Sequence, residues 1–265
     1  MSGFSSDWLA LREPLDLAAR DRTVEAAFLE RVPSIAPRIL DLASGAGSTV
    51  AALKDRLPED TNWLLTDNDA GLLDVAAARW SENGTAGLSV REIDLASNFE
   101  MLPFSEVDAL STSAFLDLIS EPFLKRLVTC VADAGKPFLA SLTYDGRIGF
   151  QPAAPLDETM RNALNSDQLS DKGFGNALGP GAATCAVDLF RSAGYHVVQG
   201  QSDWQVRPAH KGFLEEFLSG WGRVGVKYGV TREEVENWRT GHLQRAGGGS
   251  FRCTVGHIDF AAFPY

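Results

Sequence analysis

Short apolar runs alternate with longer stretches of helical spacing along most of the chain. The runs at residues 38–43, 62–67, 88–94, 107–113, 137–144, 196–203 and 252–263 have strand length, and continuous apolar runs of this kind are what strands buried on both faces look like. The stretches between them carry helix signals. Asp69 can cap a helix whose Leu72, Leu73, Ala76 and Trp80 face inward. Ser120 caps a second, with Pro122 in its first turn, Phe123, Leu124, Leu127 and Val131 packing, and Gly135 at its end. Pro180 and Gly194 bracket a third, with Val187 and Phe190 inward. The alternation predicts an α/β three-layer sandwich, a mostly parallel sheet with helices on both faces, in a single domain over residues 1–265.

Three segments fall outside the alternation. Residues 1–32 form a helical arm broken by Pro14, with apolar positions at Trp8, Leu11, Val24, Ala27 and Phe28. Residues 148–180 read as a long insertion between the fifth strand and its helix, rich in Pro, Gly, Asn and Asp, and loops of that length are usually functional. Residues 208–247 hold two helical patterns, the second opened by the capping box Thr231-x-x-Glu234 and closed by Gly247-Gly248-Gly249. The arm and the insertion are expected to lie over the carboxyl ends of the strands as a substrate cover, since ligands of open α/β sheets bind there.

The chemistry is concentrated after the first strand. Arg38-Ile-Leu-Asp-Leu-Ala-Ser-Gly-Ala-Gly-Ser-Thr-Val50 ends a buried strand at Asp41 and turns through Gly45 and Gly47 into a helix. The second strand then delivers Asp67 to its own end, where a carboxylate can take both hydroxyls of a ribose. A dinucleotide site wants G-x-G-x-x-G/A, yet Val50 occupies the third small position. The pattern that fits is D-x-[G/A]-x-G-x-G, with Ala43 in place of the first glycine.

This turn resembles motif I of the class I S-adenosylmethionine-dependent methyltransferases. Leu64-Leu65-Thr66-Asp67-Asn68-Asp69, Val90-Arg91-Glu92-Ile93-Asp94-Leu95 and Val107–Asp117 look like the following three motifs in order. The resemblance implies a Rossmann-like sheet of seven strands whose last strand pairs antiparallel between the fifth and sixth, and S-adenosyl-L-methionine as cofactor. It implies donor contacts from Asp41, Ala43, Gly45, Gly47, Asp67, Asn68 and Ser111, with Asp94 near the adenine amino group and Leu95 against the ring. Tyr144-Asp145-Gly146-Arg147 and Val255–Asp259 look like a bacterial branch of unknown substrate.

Beyond those motifs, Arg20 on the arm can reach the carboxylate of the methionine moiety, and Arg12, Arg147, Gln168 and Lys172 are candidates for substrate contact. Asp117, Tyr144 and Asp145 are the candidate catalytic groups, at the edge where an acceptor would sit. Methyl transfer is an in-line displacement, so orientation can supply most of the catalysis, and a base is needed only for a protonated acceptor. The four histidines, His257 included, read as structural.

Composition narrows the partners. Against 24 basic residues stand 35 acidic ones, a net charge of −11, which disfavours nucleic acid and leaves a small-molecule substrate. Cys130, Cys185 and Cys253 lack metal or redox spacing, and no metal is expected. With no apolar span or leader in view, the expected setting is the cytoplasm, away from membrane, as a monomer or homodimer. Asn83-Gly84-Thr85 reads as a turn. Two rival functions stand beside methyl transfer: a nicotinamide-dependent oxidoreductase, and a non-catalytic adenosylmethionine-binding protein.

Overall fold

The computed structural model describes residues 5–82 and 87–265; the Asn83-Gly84-Thr85 turn lies outside them. Helices α1 (Ser6–Ala19) and α2 (Arg22–Leu29) precede strand β1 (Arg38–Leu42). There follow α3 (Ser48–Leu53), β2 (Asn62–Asp67), α4 (Ala70–Glu82), β3 (Leu88–Glu92), the short α5 (Leu95–Asn98) and β4 (Ala109–Ser113). The second half runs α6 (Glu121–Ala134), β5 (Phe138–Gln151), α7 (Asp157–Gln168), α8 (Ala182–Ser192), β6 (Tyr195–Gln201), β7 (Trp204–Val206), α9 (Lys211–Lys227), α10 (Arg232–Gly247) and β8 (Arg252–Pro264).

The strands form one sheet in the order β3-β2-β1-β4-β5-β8-β6, with β7 paired to the start of β8. Strands β1 to β5 are parallel, and β8 runs antiparallel between β5 and β6. Two apolar cores flank the sheet. One joins Leu40, Leu110, Phe138 and Phe260 to α6 and α8, and the other joins Ile39, Leu65, Leu139 and Ala261 to α2, α3 and α4. The capping devices act as the sequence suggests: Ser120 accepts from Phe123 N at 3.5 Å, and Asp69 from Leu72 N at 3.1 Å. Thr231 and Glu234 complete their box.

Three expectations need correction. The sheet has eight strands among the described residues, not seven, because Trp204–Val206 adds a short strand against Cys253–Val255. Pro14 does not break the arm; it sits inside α1, where it gives up one bond to a carbonyl on the helix's outer side. Residues 148–180 are not a loop insertion. β5 simply continues to Gln151, paired with Arg252–Val255 of β8, and α7 follows. The Pro/Gly/Asn content that suggested a loop marks the joins on either side of α7.

That continuation builds a third core. Phe150, Met160, Trp204, Phe213, Phe217, Trp221, Trp238 and Phe251 pack together beyond the carboxyl edge of the parallel strands. This aromatic cap combines the far end of β5, β7, the start of β8, α7, α9 and α10. Helix α1 joins it through Trp8, which stacks on Phe213 with ring centroids 5.2 Å apart.

Candidate functional site

The site lies where the cap meets the ends of β1, β2, β4 and β5. After β1 the chain turns sharply: Ala43, Gly45 and Gly47 all have left-handed backbone, at φ 50°, 52° and 82°. Gly47 is obligatory for a packing reason, since a Cβ there would lie 2.4 Å from Trp80 Nε1 on α4. The turn is tied to β2 by Asp67, whose Oδ2 accepts from Gly45 N at 2.8 Å while Oδ1 accepts from Asp69 N at 3.0 Å. Burial raises the Asp67 carboxyl above its ordinary range, against the pull of those amides. Asn68 is exposed beside it.

Asp41 is buried under the turn. Ser111 Oγ donates to its Oδ1 at 2.7 Å, and Oδ2 has no partner. Burial pushes its pKa up to about 6, with the Ser111 bond and the charge of Arg20 opposing. Ser111 therefore supports Asp41 from β4. Arg20, in the corner between α1 and α2, is only 3% exposed. Its Nη2 reaches Ser113 Oγ at 3.2 Å, while Nε and Nη1 are buried without a partner. Among the described residues no ion pair joins Arg20 to Asp41, although each feels the other's charge.

Helix α1 closes over this edge. Leu9 packs against Gly45, so closely that a Cβ on the glycine would lie 3.3 Å from it. Glu13 holds Arg79 of α4 in a two-point pair at 2.6 and 2.7 Å. One turn along, Arg12 Nε pairs with Asp16 Oδ2 at 2.9 Å, and Trp204 Nε1 donates to the other oxygen of Asp16 at 2.9 Å.

On the acceptor side, Asp117 is buried with its Oδ1 unpartnered. Burial pushes its pKa up to about 6 against the Tyr144 amide and the charges of Arg12 and Lys172. Tyr144 is buried and donates its hydroxyl to Asn165 Oδ1 at 2.7 Å, and burial raises its phenol further. Directly across the sheet from Tyr144 stands His257 of β8, with its ring 6.1 Å from Tyr144 and 4.7 Å from Trp204. Its Nδ1 is buried without a partner. Burial and the charge of Arg12 hold its pKa down to about 3, so the ring is neutral at ordinary pH.

The structure thus brings together Arg12, Arg20, Asp41, Asp67, Ser111, Asp117 and Tyr144, and adds His257, which the sequence reading passed over. The signal for His257 was available in principle: an antiparallel last strand next to β5 must set one of its residues opposite Tyr144. The remaining candidates each have partners within the chain. Asp94 follows Ile93, whose N–H donates to Asp67 O at 2.8 Å, so it stands at the end of β3 beside Asp67. It is exposed and caps α5, accepting from Ala96 N and Ser97 Oγ at 3.0 and 2.8 Å, while Leu95 packs into the core. Arg147 is half-exposed and held by Asp145 at 2.7 Å and Asp203 at 2.8 Å; Asp203 also accepts from His257 N at 3.2 Å. Lys172 bonds Asp167 and Ser170 at 3.0 and 2.9 Å, and Gln168 ends α7 at the border of the cap.

Among the described residues no cluster of His, Cys, Asp and Glu suits a metal ion, and no helix is long and apolar enough to cross a membrane.

No family model matches the sequence, and no curated protein does either. Solved structures do. A cyclopropane-fatty-acyl-phospholipid synthase-like protein from Lactobacillus casei matches at 11% identity over 98% of this chain and 94% of that one, with a TM-score of 0.59. The cyclopropane synthase MmaA2 from Mycobacterium tuberculosis matches at 12% over 98% and 94%, with a TM-score of 0.54. A phosphoethanolamine N-methyltransferase from Haemonchus contortus, solved with phosphomonomethylethanolamine and S-adenosylhomocysteine, matches at 14% identity and a TM-score of 0.51. It covers 97% of this chain, which spans 56% of that protein. The chain has the class I methyltransferase fold. At such identities the likeness speaks for architecture alone, and chemistry rests on the site.

Proposed function

We propose that the protein transfers a methyl group from S-adenosylmethionine to a small-molecule acceptor. The observation that carries this reading is a pair of incomplete groups at the ends of β1 and β4: two buried, unpartnered nitrogens of Arg20, whose charge reaches Asp41, and a buried, unpartnered oxygen of Asp41. Buried polar groups are nearly always paired. A positive and a negative group left open within reach of each other's charge suit the carboxylate and ammonium of an amino acid, which is what the methionine end of the donor presents. Next to them Asp67, bonded to the glycine turn through Gly45 N, keeps a lone pair on each oxygen for ribose hydroxyls.

The same charges argue against a pyrophosphate. Among the described residues Asp16, Asp41, Asp117 and Asp259 are buried here with Arg12 and Arg20 as the buried cations, an excess of negative charge that suits a sulfonium and repels a dinucleotide.

The donor supplies a methyl group on a positively charged sulfur. The protein's part is to hold that group against an acceptor and keep water out. Leu9, the Glu13–Arg79 pair and Trp204 close the edge. Asp117, with an open oxygen and a pKa near 6, can take the proton of an acceptor that loses one, and His257 offers a neutral nitrogen on the opposite wall. Arg12, between them, is the candidate for orienting the acceptor.

Calorimetric titration with adenosylmethionine, adenosylhomocysteine and NAD(H) tests the reading. The expected result is micromolar affinity for the two sulfur ligands, none for NAD(H), and a loss of about tenfold or more in Asp67→Ala. Failure of both sulfur ligands to bind the wild-type protein refutes the reading. Turnover to adenosylhomocysteine with pooled metabolites separates an enzyme from a non-catalytic binder.

A further inference from the structure

We propose that Asp259, in the middle of β8, is the positioning residue of the site: it seats Arg20 for the donor and turns β5 toward the acceptor. This rests on the donor reading above and assigns a role to a residue that touches neither ligand.

Asp259 is fully buried, and three separate segments converge on its carboxylate. Oδ2 accepts from the backbone N–H of Asp21 at 3.0 Å, in the corner that follows Arg20. Oδ1 accepts from Leu142 N at 2.6 Å and from Ser202 Oγ at 2.5 Å. Leu142 has left-handed backbone, φ 55°, at the irregularity between Ala140 and Thr143 where β5 slips its register against β8. Leucine has no intrinsic reason to adopt that conformation, which costs roughly 1 kcal/mol. An acceptor fixed beneath its N–H supplies the reason. Past the slip, the next side chains are Thr143 and Tyr144, so the twist decides where Tyr144 points.

The corner is shaped to fit. Gly200, paired with Asp259 across β6 and β8, leaves room for Asp21: a Cβ there would fall 2.1 Å from Asp21 Oδ2. Asp21 in turn caps α2, accepting from Thr23 N and Val24 N at 2.8 and 3.0 Å. One residue back, the side chain of Arg20 is held, among the described residues, by one hydrogen bond, to Ser113. Its aim is therefore set by where the corner sits. The charge of Arg20 acts on Asp259, Asp16 and Asp41 alike.

A purely structural carboxylate would lower stability when removed and leave the affinity of the folded fraction alone. A positioning residue acts through Arg20, so the two substitutions should not add. Adenosylhomocysteine affinity is measured calorimetrically for wild type, Asp259→Asn, Arg20→Lys and the double variant. An asparagine has one acceptor oxygen and cannot serve both Asp21 and Leu142. The expected loss in Asp259→Asn is about tenfold, with the double variant within about twofold of the weaker single. Gly200→Ala, which pushes the corner away without touching Asp259, is expected to weaken binding similarly and keeps the test open if Asp259→Asn does not fold. Unchanged affinity in the folded variants, or losses that multiply, overturn the proposal. A ligand-free measurement separates its failure from that of the donor reading. Trypsin cleavage after Arg20 and Arg22 should be faster in Asp259→Asn than in wild type, whether or not adenosylhomocysteine binds. Equal cleavage overturns the positioning role even where the donor reading stands.

Discussion

The two sides of the site are built on different physics. The donor side, at the ends of β1, β2 and β4, is made of backbone and charge: a turn with three left-handed residues, the amides held by Asp67, and the open groups of Asp41 and Arg20. The cap side is made of packing. Phe150 stacks on His242 at 4.3 Å and meets Trp221 and Trp238 edge-on at 5.7 Å each. Those two tryptophans stack in turn at 5.9 Å. A site of fixed dipoles recognises one ligand closely, whereas an apolar cap can change its lining while the donor half stays the same. The contrast teaches that the two halves should fail separately.

The largest expected effect tests that separation. Phe150→Ala removes the ring at the centre of the cap, and emptying a buried aromatic position costs about 3–5 kcal/mol. A lower melting temperature is expected, with adenosylhomocysteine affinity at low temperature within about threefold of wild type. Loss of donor binding along with stability would show one cooperative unit and break the comparison.

Arg20→Gln is the reverse experiment. It removes a charge from the donor side and touches nothing in the cap. A charge-assisted contact of this kind is worth about 2–3 kcal/mol, so affinity for both sulfur ligands should fall roughly 100-fold. An unchanged Kd would mean that Arg20 points elsewhere when ligand binds.

The same contrast explains what could be read from the sequence. The donor side lies almost entirely within residues 38–117, where each motif is local: strand, turn and acid follow one another, and the turn chemistry is a property of a few neighbouring residues. Asp41, Asp67 and the glycines were legible for that reason. The place of β8, antiparallel between the fifth and sixth strands, came from resemblance and agrees with the sheet. The cap is assembled from pairings far apart in sequence, such as Phe150 with Cys253 and Trp204 with Val255. Nothing local in residues 148–151 says that β5 continues, because the partner that makes it a strand arrives a hundred residues later. His257 and Asp259 were hidden likewise, their roles being set by what lies across the sheet.

The acid response distinguishes the halves again. Asp41 and Asp117 have pKa values raised from 3.8 to about 6. A raised folded-state value means that the folded protein takes up these protons before the unfolded chain does as pH falls. The groups therefore favour folding below about pH 4, and that contribution is lost as pH rises to 6. Bringing a sulfonium and an ammonium beside them should drive the protons off. Titration in buffers of different ionisation enthalpy is expected to show release of up to about one proton per donor bound near pH 6, fading by pH 8. Asp41→Asn should remove much of it and Phe150→Ala none. His257, at about 3, adds no proton in this range. Release that does not change with pH would leave these carboxylates without contact to the donor's charge.

The smallest effect concerns strain. Ala43, Ala114 and Leu142 follow or interrupt β1, β4 and β5 with φ of 50°, 52° and 55°, so non-glycine residues stand left-handed on three adjacent strands, past the ends of two and within the third. Each costs roughly 1 kcal/mol, and such strain gathers at functional edges because surrounding contacts hold it in place. Ala43 departs from the glycine of the motif it resembles, and a glycine there would remove the strain. The more flexible unfolded chain offsets part of the gain. Ala43→Gly should therefore raise the melting temperature by about 2 °C, since 1 kcal/mol corresponds to roughly 2–4 °C in a protein of this size. Leu142→Gly should lower it, because that side chain is buried in the cap and its loss outweighs the relieved backbone. Opposite signs at two equally strained positions would show that the donor edge is held by backbone and the cap edge by side chains. Equal signs would mean that strain is handled alike on both sides, and the division between them would have to rest on charge alone.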